Sequence, residues 1–96
     1  MNLEQIESDL QVLADQTRLQ ILQLIYQQEQ CGCDLLSRVA VTQPTLSYHL
    51  KILSDASYIH GVKEKNKVRY TFNQEKIKEV FDALMHLLTE RKECEI

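Results

Sequence analysis

The strongest constraint on the fold is a helix start in mid-chain, placed closely after another short helical segment. Thr42 can accept hydrogen bonds from the free backbone N–H groups of the next turn, and Pro44 is tolerated in a first turn. Three leucines then recur at helical spacing, which predicts a helix as far as about Ala56. A short helix is predicted at about residues 33–39, so only residues 40–42 join the two. Two helices on so short a connection form a helix-turn-helix.

Helical patterns also precede this pair. Apolar residues at helical spacing predict a first helix that begins near Leu3 and ends near Ala14. Asp15 is placed to cap a second helix, which is rich in Leu and Ile and ends in the polar residues 27–30.

A hairpin is predicted after the helix-turn-helix. Residues 58–63 and 68–72 are rich in β-prone side chains, and the second run alternates apolar with polar residues. The intervening residues 65–67 form the turn, in which Asn66 is expected to take the left-handed conformation.

The last predicted helix extends from an Asn73 cap to about Arg91 and carries a wide apolar stripe. The resulting order is that of a winged helix-turn-helix, mainly α with a β-hairpin wing, in one domain covering residues 1–96. That stripe is larger than a monomer needs, and a chain of 96 residues gains core by pairing. We therefore expect a homodimer formed through residues 1–14 and 74–92.

Charge is unevenly distributed along the chain. Its 11 Lys and Arg against 14 Asp and Glu give a net charge of −3, which by itself argues against nucleic acid. From Arg38 to Arg69, however, six basic residues stand against two acids, and four of the six crowd the hairpin tip. An ordinary lysine-rich turn is the alternative, but so many cations beside a helix-turn-helix favour contact with DNA phosphates.

One side of the helix after Thr42 is suited to the DNA major groove. Opposite its leucine face it carries Thr45, Tyr48 and Lys51, with Ser47 at the flank, a mixture of hydroxyl, phenol, amine and apolar atoms. The alternative is a solvated helix side. His49 lies about 60° from the core direction, which favours a packed histidine over a base contact.

The cysteines raise the question of a metal or redox site. Cys31 and Cys33 flank Gly32, and Cys94 makes an odd total of three. Residues two apart on a regular helix cannot share an ion, so the pair is expected at a helix end, with Gly32 supplying backbone freedom. A helix N-terminus favours the thiolate, which binds soft ions or reacts with oxidants. Buried cysteines acting as small hydrophobes are the alternative.

Membrane and export classes are not favoured by the sequence. No run of 18 apolar residues is present, and the first ten residues lack the basic start and apolar stretch of a signal peptide. We therefore expect a cytoplasmic protein.

Three segments together resemble the ArsR/SmtB family of metalloregulators. They are residues 13–22, which read LADQTRLQIL, residues 31–36, which read CGCDLL, and residues 42–51, which read TQPTLSYHLK. The resemblance extends from about Leu3 to Phe72, and the second segment is most like that of the family's arsenical-resistance repressors.

The resemblance implies a homodimeric repressor and no enzyme. Such a repressor leaves double-stranded operator DNA when As(III) or Sb(III) binds, and these two ions are favoured as inducers over zinc or cadmium. The resemblance implies Cys31 and Cys33 as ligands. Some relatives have a third cysteine where this chain has Leu36, so Cys94, a small thiol or no third thiolate remains open. The DNA-contact candidates are Thr42, Gln43, Thr45, Ser47, Tyr48, His49, Lys51, Lys63, Lys65, Lys67 and Arg69.

Other functions remain as alternatives. Cys31 and Cys33 could form a redox switch in a repressor of the same family. A winged-helix protein-interaction module without DNA binding is a second alternative, and a thiol oxidoreductase is the weakest because no histidine lies near the cysteine pair in sequence. A zinc site on the last helix is also weak, because Asp82, His86 and Glu90 are spaced four apart, as in a solvated stripe.

Overall fold

The computed structural model describes residues 1–28 and 30–91, apart from the side chains of residues 30, 31 and 33. Its order of elements confirms the predicted winged helix-turn-helix, with one additional short strand before the third helix. The elements are α1 (Leu3–Leu13), α2 (Gln16–Gln27), β1 (Gln30–Cys31), α3 (Gly32–Arg38), α4 (Gln43–Asp55), β2 (Ile59–Glu64), β3 (Lys67–Phe72) and α5 (Gln74–Thr89).

The helix starts follow the capping residues that the sequence predicts. The Asp15 carboxylate accepts a hydrogen bond of 3.0 Å from the backbone N–H of Arg18 at the start of α2. Thr42 and Asn73 accept equivalent bonds at the starts of α4 and α5. Because each cap satisfies one of the otherwise free N–H groups of a first turn, these residues set where the helices begin.

The wing is part of a three-stranded antiparallel sheet in the order β1-β3-β2. Pairing of Glu64 with Lys67 leaves a two-residue turn in place of the predicted three-residue turn. Lys65 has a positive φ of 55°, whereas Asn66 does not, so the prediction of a left-handed conformation at Asn66 was wrong. A positive φ at only the first central residue is the pattern of a type II′ hairpin turn.

The hydrophobic core lies between the helices and the inner face of the wing. Its members come from all five helices, from Val39 after α3, and from Tyr58 and Ile59 at the start of β2. The fully or nearly fully buried side chains include Ile21, Ile25, Leu35, Leu53, Tyr58 and Val80.

A polar network joins α1 to α5 at the edge of this core. The Tyr58 hydroxyl donates a hydrogen bond of 2.7 Å to the backbone carbonyl of Asp9. The Asp9 carboxylate lies 3.3 Å from the Lys76 amine, and both side chains are 16% exposed. Burial, reinforced by the negative charge of Asp9, raises the pKa of Tyr58 to about 12. The phenol therefore stays protonated and keeps its hydrogen bond at neutral pH.

Apolar side chains remain exposed on the outer side of α1 and α5. Phe81, Met85 and Leu88 recur at helical spacing on α5 and are 49%, 63% and 72% exposed. Leu3 on α1 is 68% exposed. Within residues 1–28 and 30–91, no helix is long and apolar enough to cross a bilayer.

Candidate nucleic-acid interface and cysteine segment

The outward side of α4 carries most of the predicted contact residues. Thr42 caps the helix, and its hydroxyl also lies 3.0 Å from that of Thr45. Lys51 is exposed and pairs with Asp55 at 3.1 Å, one turn further along. Tyr48 projects with 61% of its surface exposed. The exposed candidates on this helix and at its cap are Thr42, Gln43, Thr45, Ser47, Tyr48 and Lys51.

His49 lies at the core edge, in contrast to its neighbour Tyr48. It is 8% exposed, and its Nδ1 atom lies 3.1 Å from Nη1 of Arg18. Because a guanidinium has only donors, Nδ1 of His49 is the acceptor in this hydrogen bond. The ring therefore packs as the helical periodicity predicted, and the DNA contacts proposed below do not include His49.

The basic wing residues are all exposed. Lys63, Lys65, Lys67 and Arg69 project from β2, the turn and β3. Arg69 pairs with Glu64 at 3.6 Å, which partly offsets its charge. The three lysines give this end of the molecule a concentrated positive charge close to α4, which suits a surface that meets phosphates.

The cysteine pair spans a junction between a strand and a helix. Cys31 ends β1, and Cys33 is the second residue of α3, so the two do not share one regular helix. Gly32 has no positive φ, and a Cβ placed there meets nothing within 4 Å, so its backbone conformation does not itself require glycine. The thiol groups of Cys31 and Cys33, and all of Cys94, lie outside the described part of the chain.

Backbone pairing connects this cysteine segment directly to the wing. In the β1–β3 register, Gln30 lies opposite Tyr70 and Cys31 lies opposite Arg69. This pairing could not be predicted from the sequence, because a two-residue strand has no periodic pattern to detect. The backbone of residue 31 is therefore paired directly with the strand that carries Arg69.

A cleft of about 420 Å³ lies between α3, α4 and β3. Gly32 forms part of its wall, beside the half-buried Leu36 and the buried Leu46 and Leu50. Val68 and Tyr70 line it from the wing, and burial raises the pKa of the Tyr70 phenol. The exposed residues Gln43, Ser47, Asn66 and Lys67 complete the lining.

The zinc site considered for α5 gains no support from the geometry. Asp82 pairs with Lys78 at 2.5 Å, and this hydrogen bond raises the pKa of the lysine. Across the described ranges, no three His, Cys, Asp or Glu side chains are grouped so that they could hold a metal ion. Asp82 therefore behaves as part of a solvated, locally paired stripe.

Comparison with known proteins identifies the family. Residues 15–60, which include the helix-turn-helix, match the family model described as bacterial regulatory protein, arsR family. The chain is 34% identical to the arsenical resistance operon repressor of Staphylococcus aureus over 98% of its own length and 90% of that protein. The chain belongs to the ArsR family. ArsR-family proteins are transcriptional regulators, so this protein is a regulator and no enzyme, as the sequence predicted.

Further ArsR-family relatives agree in sequence and in fold. The arsenical resistance operon repressor of Staphylococcus xylosus is 41% identical over 78% of this chain and 72% of that protein. An ArsR-like regulator from Rhodococcus matches 88% of this chain and 79% of its own with a TM-score of 0.79 and 23% identity. A homodimeric winged helix-turn-helix DNA-binding domain from Mycobacterium bovis matches 95% of this chain and 84% of its own, with a TM-score of 0.71 and 24% identity.

Proposed function

We propose that this ArsR-family protein is a homodimeric repressor that binds double-stranded operator DNA and releases it when As(III) or Sb(III) binds Cys31 and Cys33. The observation that carries the proposal is the position of the cysteine segment, which is hydrogen-bonded through β1 to the basic wing. The relatives named as arsenical resistance operon repressors support both the repressor role and the class of inducer.

DNA binding uses α4 and the wing together. In this proposal α4 enters the major groove, where the hydroxyl, amide and phenol groups on its exposed side contact base edges or phosphates. The three lysines and Arg69 of the wing lie along the backbone and supply affinity without reading sequence. The proposed contact residues are Thr42, Gln43, Thr45, Ser47, Tyr48, Lys51, Lys63, Lys65, Lys67 and Arg69.

Dimerisation uses residues 1–14 and 74–92. Phe81, Met85 and Leu88 form an exposed apolar stripe on α5, and Leu3 extends this surface on α1. A two-fold axis through α1 and α5 would bury that stripe against its own copy and present two recognition helices to two DNA half-sites. The homodimeric DNA-binding domain from Mycobacterium bovis, which shares the fold, supports this arrangement.

Release of DNA follows from coupling between the two sites. An ion that bridges Cys31 and Cys33 fixes the junction between β1 and α3. Because β1 pairs with β3 and α3 forms a wall of the cleft beside α4, both DNA-binding elements respond to the geometry of that junction. Ion and DNA then oppose each other by about 1 to 3 kcal/mol, which corresponds to a 5-fold to 150-fold loss of DNA affinity.

The decisive experiment is a DNA-binding titration on the region upstream of the protein's own gene. It is performed with and without As(III), Sb(III), zinc and a mild oxidant, for the native chain and for Cys31→Ser, Cys33→Ser and Cys94→Ser. We expect As(III) and Sb(III) to weaken binding of the native chain, and the first two variants to hold DNA in their presence. The Cys94→Ser variant reports whether the third thiolate comes from the tail.

The contrary results distinguish the parts of the proposal. Release by As(III) that persists in both Cys31→Ser and Cys33→Ser would disprove the ligand assignment. Release by oxidant but not by As(III) would favour the redox switch. Phosphate contacts predict strong DNA binding at low salt. If the protein shows no DNA binding above background at low salt, the repressor function is disproved and a protein-interaction module is favoured.

A further inference from the structure

His49 is the buried ionisable residue of α4. It is 8% exposed and lies on the leucine face of the helix, at the edge of the core. The other two histidines of the chain, His60 on β2 and His86 on α5, are exposed. Histidine is the side chain whose charge ordinarily changes between about pH 5 and pH 8. His49 therefore places a group of variable charge beneath the helix that is proposed to bind DNA.

The contact between His49 and Arg18 depends on the protonation of the ring. Nδ1 of His49 lies 3.1 Å from Nη1 of Arg18. A guanidinium has only donors, whereas an imidazolium carries a proton on both ring nitrogens and has no acceptor left. Protonation of His49 would therefore replace this hydrogen bond by two donors and two positive charges, which repel each other at so short a distance.

Arg18 is held in place by α1 and by the start of α2. Its Nε donates a hydrogen bond of 2.7 Å to the carbonyl of Val12, and its Nη2 donates a longer one of 3.5 Å to the carbonyl of Gln11. The Asp15 carboxylate lies 3.9 Å from Nη1 of Arg18. Because these groups fix the guanidinium, we expect the repulsion to displace His49 and, with it, α4.

Two further titratable groups face the ring. Asp15 lies close enough for an electrostatic interaction with His49, and the ring of Tyr48 stands 5.6 Å from the imidazole. Asp15 attracts an imidazolium, but it already pairs with Arg18 and accepts the cap bond. The backbone N–H of Arg18 also holds the pKa of Asp15 below its ordinary value of 3.8, so this carboxylate stays ionised wherever histidines titrate.

We propose that the Arg18–His49 contact positions α4 for DNA, and that protonation of His49 in mild acid releases the DNA. His49 acts here as a positioning residue: it works through the helix that carries the exposed contact residues and does not itself touch DNA. This inference rests on the proposed function in one respect, that α4 binds DNA. It is independent of the cysteine pair and of the inducer.

The expected effect has the opposite sign to the general effect of acid on charge. The chain has a net charge of −3 with its histidines neutral, so each proton that it gains makes it less negative. A less negative protein is attracted more strongly to DNA phosphates, so charge alone predicts tighter binding in acid. A loss of affinity in the same pH range would therefore indicate a displaced helix.

The test measures DNA affinity and the protonation of His49 over the same range, from pH 8 to pH 5. Fluorescence anisotropy gives the affinity for labelled DNA from upstream of the protein's own gene, at constant ionic strength, with the thiols reduced and no added metal. NMR of the DNA-free native protein gives the titration midpoint of each imidazole. Below the midpoint of His49, affinity should fall by about tenfold per pH unit for each bound protomer, because each takes up one proton on release.

Two asparagine variants identify the histidine that senses the proton. His49→Asn offers Arg18 an uncharged carbonyl oxygen, an acceptor that does not titrate, so this variant should lose the acid effect. His60→Asn removes an exposed histidine of the wing and should keep it. Circular dichroism at each pH checks that the chains remain folded. If His49→Asn does not fold, agreement between the midpoint of His49 and the onset of the loss in the native chain decides the matter.

Contrary results separate this inference from the proposed function. If native affinity is constant or rises from pH 8 to pH 5, or if His49 titrates without a loss, the inference is wrong and the proposed DNA binding survives. A loss that persists in a folded His49→Asn, or that follows the midpoint of His60 or His86, also overturns it. If the native chain binds no DNA even at pH 8, the proposed function fails and this inference fails with it.

Discussion

Arg18 and His49 connect the recognition helix to the corner between the first two helices. The Arg18 guanidinium lies 3.1 Å from Nδ1 of His49 on α4, and its Nε donates a bond of 2.7 Å to the carbonyl of Val12 at the end of α1. It also lies 3.9 Å from the Asp15 carboxylate. One cation thus ties together α1, α2 and α4, and fixes α4 relative to the elements that lead to the proposed dimer surface.

Removing this cation should cost measurable stability. We expect Arg18→Met to lower the free energy of unfolding by about 2 kcal/mol, because a half-buried carbonyl and a buried ring nitrogen lose their donors. In a double-mutant cycle with His49→Phe, the coupling energy should be about 1 kcal/mol. Urea unfolding measures both values. The control is Lys51→Met, which breaks an exposed ion pair and should cost less than about 0.5 kcal/mol. Additive effects of the Arg18 and His49 changes would contradict the coupling.

The Asp15 cap predicts an acid dependence of stability. The Asp15 carboxylate accepts a hydrogen bond from the backbone N–H of Arg18. This bond holds the pKa of Asp15 below its ordinary value of 3.8. A carboxyl whose pKa is lower in the folded state contributes its full stability above the unfolded value and loses it as the pH falls through the folded value. Asp15→Ala should cost about 1 kcal/mol at pH 7, whereas Asp15→Asn should keep the cap and lose this contribution to the acid dependence. Urea unfolding between pH 7 and pH 3 checks both, and an equal acid dependence in the native chain and Asp15→Asn would count against the cap.

Substitution by alanine should lower the stability of the protein at Gly61 and raise it at Gly32. A Cβ at Gly61 would lie 3.0 Å from Cγ1 of Val68 and 3.1 Å from Cε1 of Tyr70, so Gly61→Ala should strain the wing and cost about 1 kcal/mol. At Gly32 nothing lies within 4 Å and φ is not positive, so Gly32→Ala should raise stability by about 0.4 to 1 kcal/mol through the unfolded chain. Thermal unfolding of the two variants makes the comparison. A loss of stability in Gly32→Ala would mean that this residue needs the freedom of glycine after all.

The fold could be predicted from sequence because its signals are local. The caps at Asp15 and Thr42 depend on neighbouring residues, and both agree with the structure. Alternation of apolar and polar residues predicted the strand β3, but its first three residues are exposed and its last three are half-buried, so burial does not alternate as predicted. The link between the cysteine segment and the wing could not be predicted, because Cys31 meets Arg69 only through a two-residue strand. The positive φ at Lys65 was missed for a related reason: the two-residue turn is set by the strand register, and residue preference alone favoured Asn66.

The wing lysines should control how DNA affinity depends on salt. Each lysine that neutralises a phosphate adds about 0.9 to the magnitude of the slope of log affinity against log salt. Lys65→Gln and Lys67→Gln should therefore each reduce that magnitude by about 0.9 and weaken binding to all DNA sequences alike. Fluorescence anisotropy at several salt concentrations measures the slope. Lys78→Gln, on exposed α5, is the control and should leave it unchanged. If the slope is unchanged in both Lys65→Gln and Lys67→Gln, the wing does not contact DNA phosphates.

The apolar stripe on α5 should set the oligomeric state. Met85 is 63% exposed between Phe81 and Leu88, so burial in a dimer would surround a glutamate at this position with apolar groups. Met85→Glu should raise the dimer dissociation constant by about 100-fold or more, as measured by sedimentation equilibrium. DNA affinity should fall with it, because the two half-sites are then bound by separate protomers. Lys78→Glu adds the same carboxylate on the polar side of the helix and should sediment as the native protein does. If Met85→Glu also sediments as the native protein does, the protomers pair through another surface.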